Sequence, residues 1–295
     1  MTRGRTPRRR IIGGLFVALL LTTAGLAGCS AASGQTGASQ QQSLYTAVMS
    51  RGVLRVGVRP DDPPHSFLNS QGHFAGFDVD IATAIAKDWG VKLQLVTVNE
   101  LTRISYLQNG RIDLAVTSIS TTVKRAKEVD FSETYFFSDQ TILVRKGAYQ
   151  HLSDLVGKTI AADQGSNAGT SWQAWLGAHG HAGDGHVEYF ASKQASLEAV
   201  KTGAAAGYAE DYELLAAFAH NDPGLAIIND PGGIGLKLDG AAMHKNDSLL
   251  VLNVNLALQH IASSGEYDVI YNRWFGPQSA TPIPLMGHIE VWPNG

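Results

Sequence analysis

From Gly52 onward the apolar positions fall into short blocks with two alternating periods. Leu54-Arg55-Val56-Gly57-Val58 reads as a strand, and Arg59 to Pro64, rich in Pro and Asp, as the loop after it. Asp78 or Asp80 is placed to cap a helix running to Trp89, with Gly90 as its stop. Lys92 to Val98 alternates as a strand, Ile104 to Gln108 is helical up to Asn109-Gly110, Ile112 to Val116 is a strand, and Thr122 begins another helix. After a strand over Thr141 to Val144 the series starts again. It gives strand Thr159 to Ala162, helix Ala168 to Leu176, strand Val187 to Phe190, helix Gln194 to Thr202 and strand Gly207 to Ala209. Strand Gly235 to Leu238 and helices Leu249 to Ser263 and Tyr267 to Phe275 close the chain. Two successive β-α-β series imply two α/β lobes, each with a mostly parallel sheet. In such lobes small ligands sit at the carboxyl ends of strands, so the residues that carry chemistry are expected just after them.

Composition agrees and narrows the partners. The chain has 295 residues, 44% apolar and 17% charged, enough for two domains with a sizeable core, which excludes a chain disordered throughout. Charge is unevenly placed: Arg3, Arg5, Arg8, Arg9 and Arg10 are five of the 23 basic residues, leaving 18 against 26 acidic residues in the rest. An acidic body without a basic stripe argues against nucleic acid as partner. The single cysteine, Cys29, excludes an intrachain disulfide.

That cysteine closes a distinctive N-terminus. Met1 to Arg10 is basic, and Ile11 to Gly28 carries no charge and ends in small residues, as an export signal does. Leu26-Ala27-Gly28-Cys29 resembles a bacterial lipobox, in which the cysteine thiol takes a diacylglycerol and becomes the first residue after cleavage. Residues 1–28 are therefore expected to be a lipoprotein signal peptide, and 29–50 a lipid-anchored flexible tether, built from Ser30 to Ser43 of Ser, Ala, Gly, Gln and Thr alone. Two or three acyl chains hold a protein at a membrane surface where a single chain binds only marginally. Arg8-Arg9-Arg10-Ile11-Ile12 also fits a loose twin-arginine pattern, so the export route stays open.

Several stretches of the body carry a family resemblance. Gly52-Val53-Leu54-Arg55-Val56-Gly57-Val58, Pro63-Pro64 and Gly76-Phe77-Asp78-Val79-Asp80 resemble the start of bacterial family 3 extracellular solute-binding proteins. Leu107-Gln108-Asn109-Gly110-Arg111-Ile112-Asp113, then Thr122-Val123-Lys124-Arg125 with Val129-Asp130-Phe131-Ser132 and Tyr135-Phe136, and finally Arg273-Trp274-Phe275-Gly276 continue it in the right order over about residues 51 to 276. The resemblance implies a type II periplasmic-binding fold: two α/β lobes joined by two hinge strands, with the ligand between them. Residues 51–140 and 242–276 would form the first lobe, 141–241 the second with the hinge strands, and 277–295 an extended C-terminal tail. It also implies a receptor for a free polar amino acid that works with an ABC permease, needs no cofactor or metal, and acts as a monomer on the outer face of the membrane that anchors it.

A free amino acid is a zwitterion, and burying it requires a cation for the carboxylate and an anion for the ammonium. Arg125 matches the family's carboxylate-binding arginine, whose planar fork fits a carboxylate bidentately; the plain alternative is a surface helix arginine. Ser118 and Ser120, in the hydroxyl-rich stretch before it, match positions that accept the ammonium and donate to the carboxylate. Asp211 matches the ammonium-binding aspartate, and alternatively caps the helix from Tyr212. Ser166 and Asn167, in Gln164-Gly165-Ser166-Asn167, resemble the turn whose amides and hydroxyls grip the carboxylate at a helix start. Arg59, Arg103 and Lys193 resemble the basic residues that hold a distal carboxylate in acidic-amino-acid receptors. Asp62 and Glu100 stand where many relatives carry aromatics, and Asp163 is near. Glutamate or aspartate is expected ahead of glutamine or asparagine, unless those acids neutralise Arg59 and Arg103 and favour an amide.

Other classes compete. The fold resembles that of periplasmic cyclohexadienyl dehydratases, and Asp62, Glu100, Asp163 or Asp211 could serve as an acid or base on prephenate or arogenate. A paired Arg125 and Asp211 explains zwitterion binding without chemistry, and no nucleophile elbow, P-loop or H-E-x-x-H occurs. The run His179-Gly180-His181-Ala182-Gly183-Asp184-Gly185-His186 has residue types suited to zinc or nickel, but its glycines suggest a surface loop. Docking on a membrane sensor rather than a permease is the remaining alternative.

Overall fold

Two antiparallel strands run through the middle of the main sheet and tie the molecule together. The computed structural model describes residues 42–279, 281–283, 289 and 291–292. In chain order its elements are α1 (Leu44–Arg51), β1 (Val53–Val58), β2 (Asp61–Asp62), β3 (Ser66–Leu68), β4 (Phe74–Ala75), α2 (Phe77–Asp88), β5 (Lys92–Thr97), α3 (Arg103–Gln108), β6 (Leu114–Ala115), β7 (Asp130–Arg145), β8 (Thr159–Asp163), α4 (Ala168–Ala178), β9 (His186–Phe190), α5 (Lys193–Thr202), β10 (Gly207–Asp211), α6 (Tyr212–Asn221), β11 (Leu225–Ile227), β12 (Gly235–Met243), α7 (Ser248–Ser263) and α8 (Glu266–Phe275). The sheet order is β5-β1-β6-β12-β7-β10-β8-β9, with β11 also on β7; β2, β3 and β4 form a small separate sheet.

The parallel pairs, β1 with β5 and β6, and β8 with β10 and β9, lie on either side of the central pair. β12 runs antiparallel along β7 from Gly235 opposite Gln140 to Met243 opposite Asp130. Beyond Gln140, β7 pairs with β10 instead. β7 therefore belongs to both halves of the molecule. One half packs Leu54, Val56, Phe77, Ile85, Phe136 and Phe275 into its main core, and the other packs Ile142, Ile160, Trp172 and Leu176. Each core has its own parallel strands and helices, which is how two α/β lobes arise from one chain.

Several expectations need correction. α1 takes up the end of residues 29–50, read as flexible tether, and runs on to Arg51. It forms because Ser43 caps it and Gly52 ends it in the left-handed region, and because Asp247, ahead of α7, bonds both Ser43 Oγ at 2.6 Å and Leu44 N at 2.7 Å. The helix expected from Thr122 is only a single 3-10 turn over Arg125–Lys127; Thr122 Oγ1 accepts from Arg125 N, and Val123 is exposed, so no apolar face exists to bury a longer helix. β7 is 16 residues long, not four, because Ser132, Glu133, Ser138 and Asp139 broke its apolar pattern. Cys29, the signal peptide and the tether up to Gln41 lie outside the described residues. In the tail, Ile289 joins the first core and Ile283 N bonds Phe275 O at 3.0 Å.

Candidate functional site

The strand ends of both halves face one cleft. On the first side, the backbone turns sharply at Ser118, with φ of 50°, three residues after the end of β6. Asp78, in the first turn of α2, fixes that turn by accepting from Ser118 N at 2.7 Å and from Tyr135 Oη at 2.9 Å. Arg125 reaches back to donate to Ser120 O at 2.9 Å and across the cleft to Gly165 O at 2.9 Å. Arg103, first residue of α3, donates to Thr117 O at 3.2 Å, and its buried Nε has no partner. Both guanidiniums are buried, and among the described residues both bond backbone carbonyls and neither is ion-paired. Burial, with Arg125 beside it, pulls the Arg103 pKa down to about 10. A groove of about 570 Å³ opens beside Arg125, lined also by Glu100, Gly165, Ser166 and Asn167, and the buried Ser166 Oγ there has no hydrogen-bond partner among the described residues. Asn167 exchanges long bonds with Gln140, at 3.3 and 3.5 Å.

Arg59 and Lys193 do converge, but on carboxylates of this chain. Arg59 Nη1 lies 2.8 Å from Glu100 Oε1 and 3.4 Å from Asp62 Oδ2. Lys193 Nζ lies 2.6 Å from Glu210, 3.4 Å from Asp163, 3.5 Å from Asp62 and 3.9 Å from Glu100. Only about 40 Å³ is left beside this cluster. Burial works to raise the Asp62 pKa, yet Arg59 and Lys193 hold it at about 2. Burial raises the Glu210 carboxyl well above its usual value in spite of Lys193, with Asp211 and Asp163 adding to the rise. The acids expected to neutralise Arg59 and Arg103 thus pair Arg59 and Lys193 instead, and Arg103 stands outside the cluster. Glu100, Asp163 and Glu210 have oxygens close enough to ligate one metal ion, but the Lys193 ammonium sits within 4.0 Å of all three.

Asp211, at the end of β10, is engaged just as fully. Its Oδ1 accepts from Gln140 Nε2 at 2.9 Å, and its Oδ2 accepts from Ser118 Oγ at 3.3 Å and lies 2.9 Å from Lys237 Nζ. It stands at the N-cap position of α6, yet its side chain bonds no amide there. Lys237 comes from β12 and is fully buried. It donates to Ser118 Oγ at 2.8 Å, lies 3.0 Å from Asp239 Oδ2 and bonds Glu213. Burial opposes its charge, but Asp211, Asp239 and Glu213 together raise its pKa well above that of an ordinary lysine. Glu213 also meets His65 Nε2 at 2.8 Å and accepts from Ser138 Oγ at 2.7 Å. The sequence reading missed Lys237, His65, Glu213 and Gln140. The only signal was Leu236-Lys237-Leu238-Asp239, an ordinary amphipathic strand, and the structure inverts its expected sense: Lys237 and Asp239 point inward while Leu236 is 59% exposed. In the histidine-rich loop His179 stacks on Trp175, and His181 Nδ1 lies 3.4 Å from Asp184.

Two lobes on shared hinge strands, with strand ends and helix starts facing a polar cleft, define a two-lobed binding protein of the type II periplasmic class. The chain belongs to the bacterial extracellular solute-binding proteins, family 3, whose family model matches residues 54–277. It is 31% identical over 271 residues to the ABC transporter glutamine-binding protein GlnH of Bacillus subtilis (strain 168), a match covering 88% of this chain and 93% of that one. An ancestral arginine-binding protein bound to glutamine is 33% identical with a TM-score of 0.69, over 77% of this chain and 99% of that structure. An ancestral amino acid-binding protein described as a precursor of cyclohexadienyl dehydratase is 29% identical with a TM-score of 0.68, over 79% and 99%.

Proposed function

We propose that this chain is an extracytoplasmic receptor that binds a small polar carboxylate solute of the amino-acid class by closing its two lobes, and delivers it to an ABC importer. The observation that carries the reading is a pair of buried guanidiniums, Arg103 and Arg125, that have no carboxylate ion pair among the described residues, with Arg125 lining a groove that also holds the unpartnered hydroxyl of Ser166. A buried cation requires an anion, and the planar fork of arginine suits a carboxylate. Contacts from both sides, Arg125 from one lobe and Ser166 from the other, couple binding to closure. The known binding of glutamine by relatives supports the ligand class. Within it, acidic skeletons such as glutamate or aspartate rank ahead of the amides, because two guanidiniums without an ion pair among the described residues favour a second negative charge. Cys29 anchors the exported chain to the membrane in this reading.

Calorimetry against amino acids and their carboxylate analogues tests it. Arg125→Ala should weaken the tightest-binding member by about two decades or more, the scale of a buried charge left without its partner. A dissociation constant within threefold of wild type would remove Arg125 from the site. For the anchor, Cys29→Ala should abolish labelling by a radioactive fatty acid.

A further inference from the structure

How the charges of the cleft are paired bears on the ligand's own charges. The acids there outnumber the cations, but each named one faces an internal cation: Asp62, Glu100, Asp163 and Glu210 share Arg59 and Lys193, and Asp211, Glu213 and Asp239 share Lys237. Two guanidiniums, by contrast, meet only carbonyls among the described residues. The family resemblance matches Asp211 to the position that receives a ligand ammonium, and a protein ammonium already lies 2.9 Å from it. That same ammonium bridges the halves by donating to Ser118 Oγ at 2.8 Å. It is fully buried and held by Asp239 and Glu213 as well, so swinging off Asp211 would leave it beside an incoming cation. Like charges at that distance in a buried site repel strongly.

We infer that Lys237 supplies from within the protein the ammonium that Asp211 would otherwise take from a ligand, and that the solute of this receptor is a carboxylate lacking an α-ammonium: a 2-oxo or 2-hydroxy acid with the skeleton of a polar amino acid. Such a ligand brings its carboxylate to Arg125 and Arg103. Its neutral oxygen at C2 adds no positive charge beside Lys237, whose three protons already face Ser118, Asp211, Asp239 and Glu213. This inference rests on the carboxylate-receptor reading above and specifies it.

The test is calorimetry of the full chain on matched pairs: glutamate with 2-oxoglutarate, aspartate with malate, and glutamine with 2-oxoglutaramate. For wild type, the member without an amine should bind at least tenfold tighter in the pair that binds best. An amino acid binding as tightly as its analogue, or tighter, overturns the inference and leaves the carboxylate reading standing. Binding of no member of any pair overturns both. Lys237→Gln should move the ratio at least tenfold toward the amino acid by freeing Asp211, and an unchanged ratio in a folded variant likewise overturns the inference. The wild-type ratio decides the matter where that variant does not fold.

Discussion

His65 shows how a single side chain takes its charge from its surroundings. It is buried between Asp78, 3.3 Å from Nδ1, and Glu213, 2.8 Å from Nε2, with the Phe136 ring against it at 4.6 Å. Burial and Lys237 both act to lower its pKa, yet Asp78 and Glu213 raise it to about 10. A histidine that holds its proton more tightly in the folded state than in the unfolded one stabilises the fold fully below its unfolded pKa of about 6.5, and this is lost as pH rises through about 10. The gap in unfolding free energy between wild type and His65→Gln should therefore be widest below pH 6.5 and shrink toward pH 10. A gap that stays constant over that range, measured by denaturant titration, would show that His65 acts through packing alone. In the sequence this histidine was an unremarked loop residue after Pro63-Pro64, because neither of its acidic partners is nearer than 13 positions away.

At the scale of elements, the site depends on how β12 begins alongside β7. Gly233 has φ of 50°, and a Cβ there would lie 2.1 Å from Gln140 O, the carbonyl that Ile234 N bonds at 2.7 Å. Gln140 in turn donates to Asp211. The neighbouring Gly232 has φ of 77° but open space around it. Gly232→Ala should cost only the backbone strain of a left-handed alanine, about 1 kcal/mol. Gly233→Ala has to displace backbone as well and should cost more, about 3 kcal/mol or above, with loss of ligand binding. Equal shifts in melting temperature would show that the close approach yields at no cost. The parallel strands and most helices were legible from their periodicity, since each buries one face. β7 was not, because its polar positions serve the cleft and the hinge, a use no local pattern reports.

The whole molecule is held across the cleft by ion pairs. Lys193, on α5 of the second half, lies 3.5 Å from Asp62 of the first half, and His65 meets Glu213 across the same divide. Lys193→Met would leave Glu210, Asp163, Asp62 and Glu100 short of one buried cation. Such a loss costs about 3–5 kcal/mol, and because the pairs span both halves it should also loosen them. A lower melting temperature together with a larger radius of gyration in X-ray scattering is the expected outcome. A scattering profile identical to wild type would show that the hinge strands alone set the closure.

The amino-acid sequence by itself determined the alternation of strands and helices, the two-lobed class and the positions after strands where charged residues gather, because each rests on local periodicity, turn chemistry or motif order. Only the tertiary structure decided which charge meets which. Arg59 and Lys193 were legible as cleft cations, but not the distant acids they meet: Glu100 lies 41 positions beyond Arg59, and Asp62 belongs to the other half of the molecule from Lys193. Lys237, 26 positions beyond Asp211, reaches it only because β12 folds back beside β7. Electrostatic pairing depends on distance and burial in space, and a linear pattern carries neither.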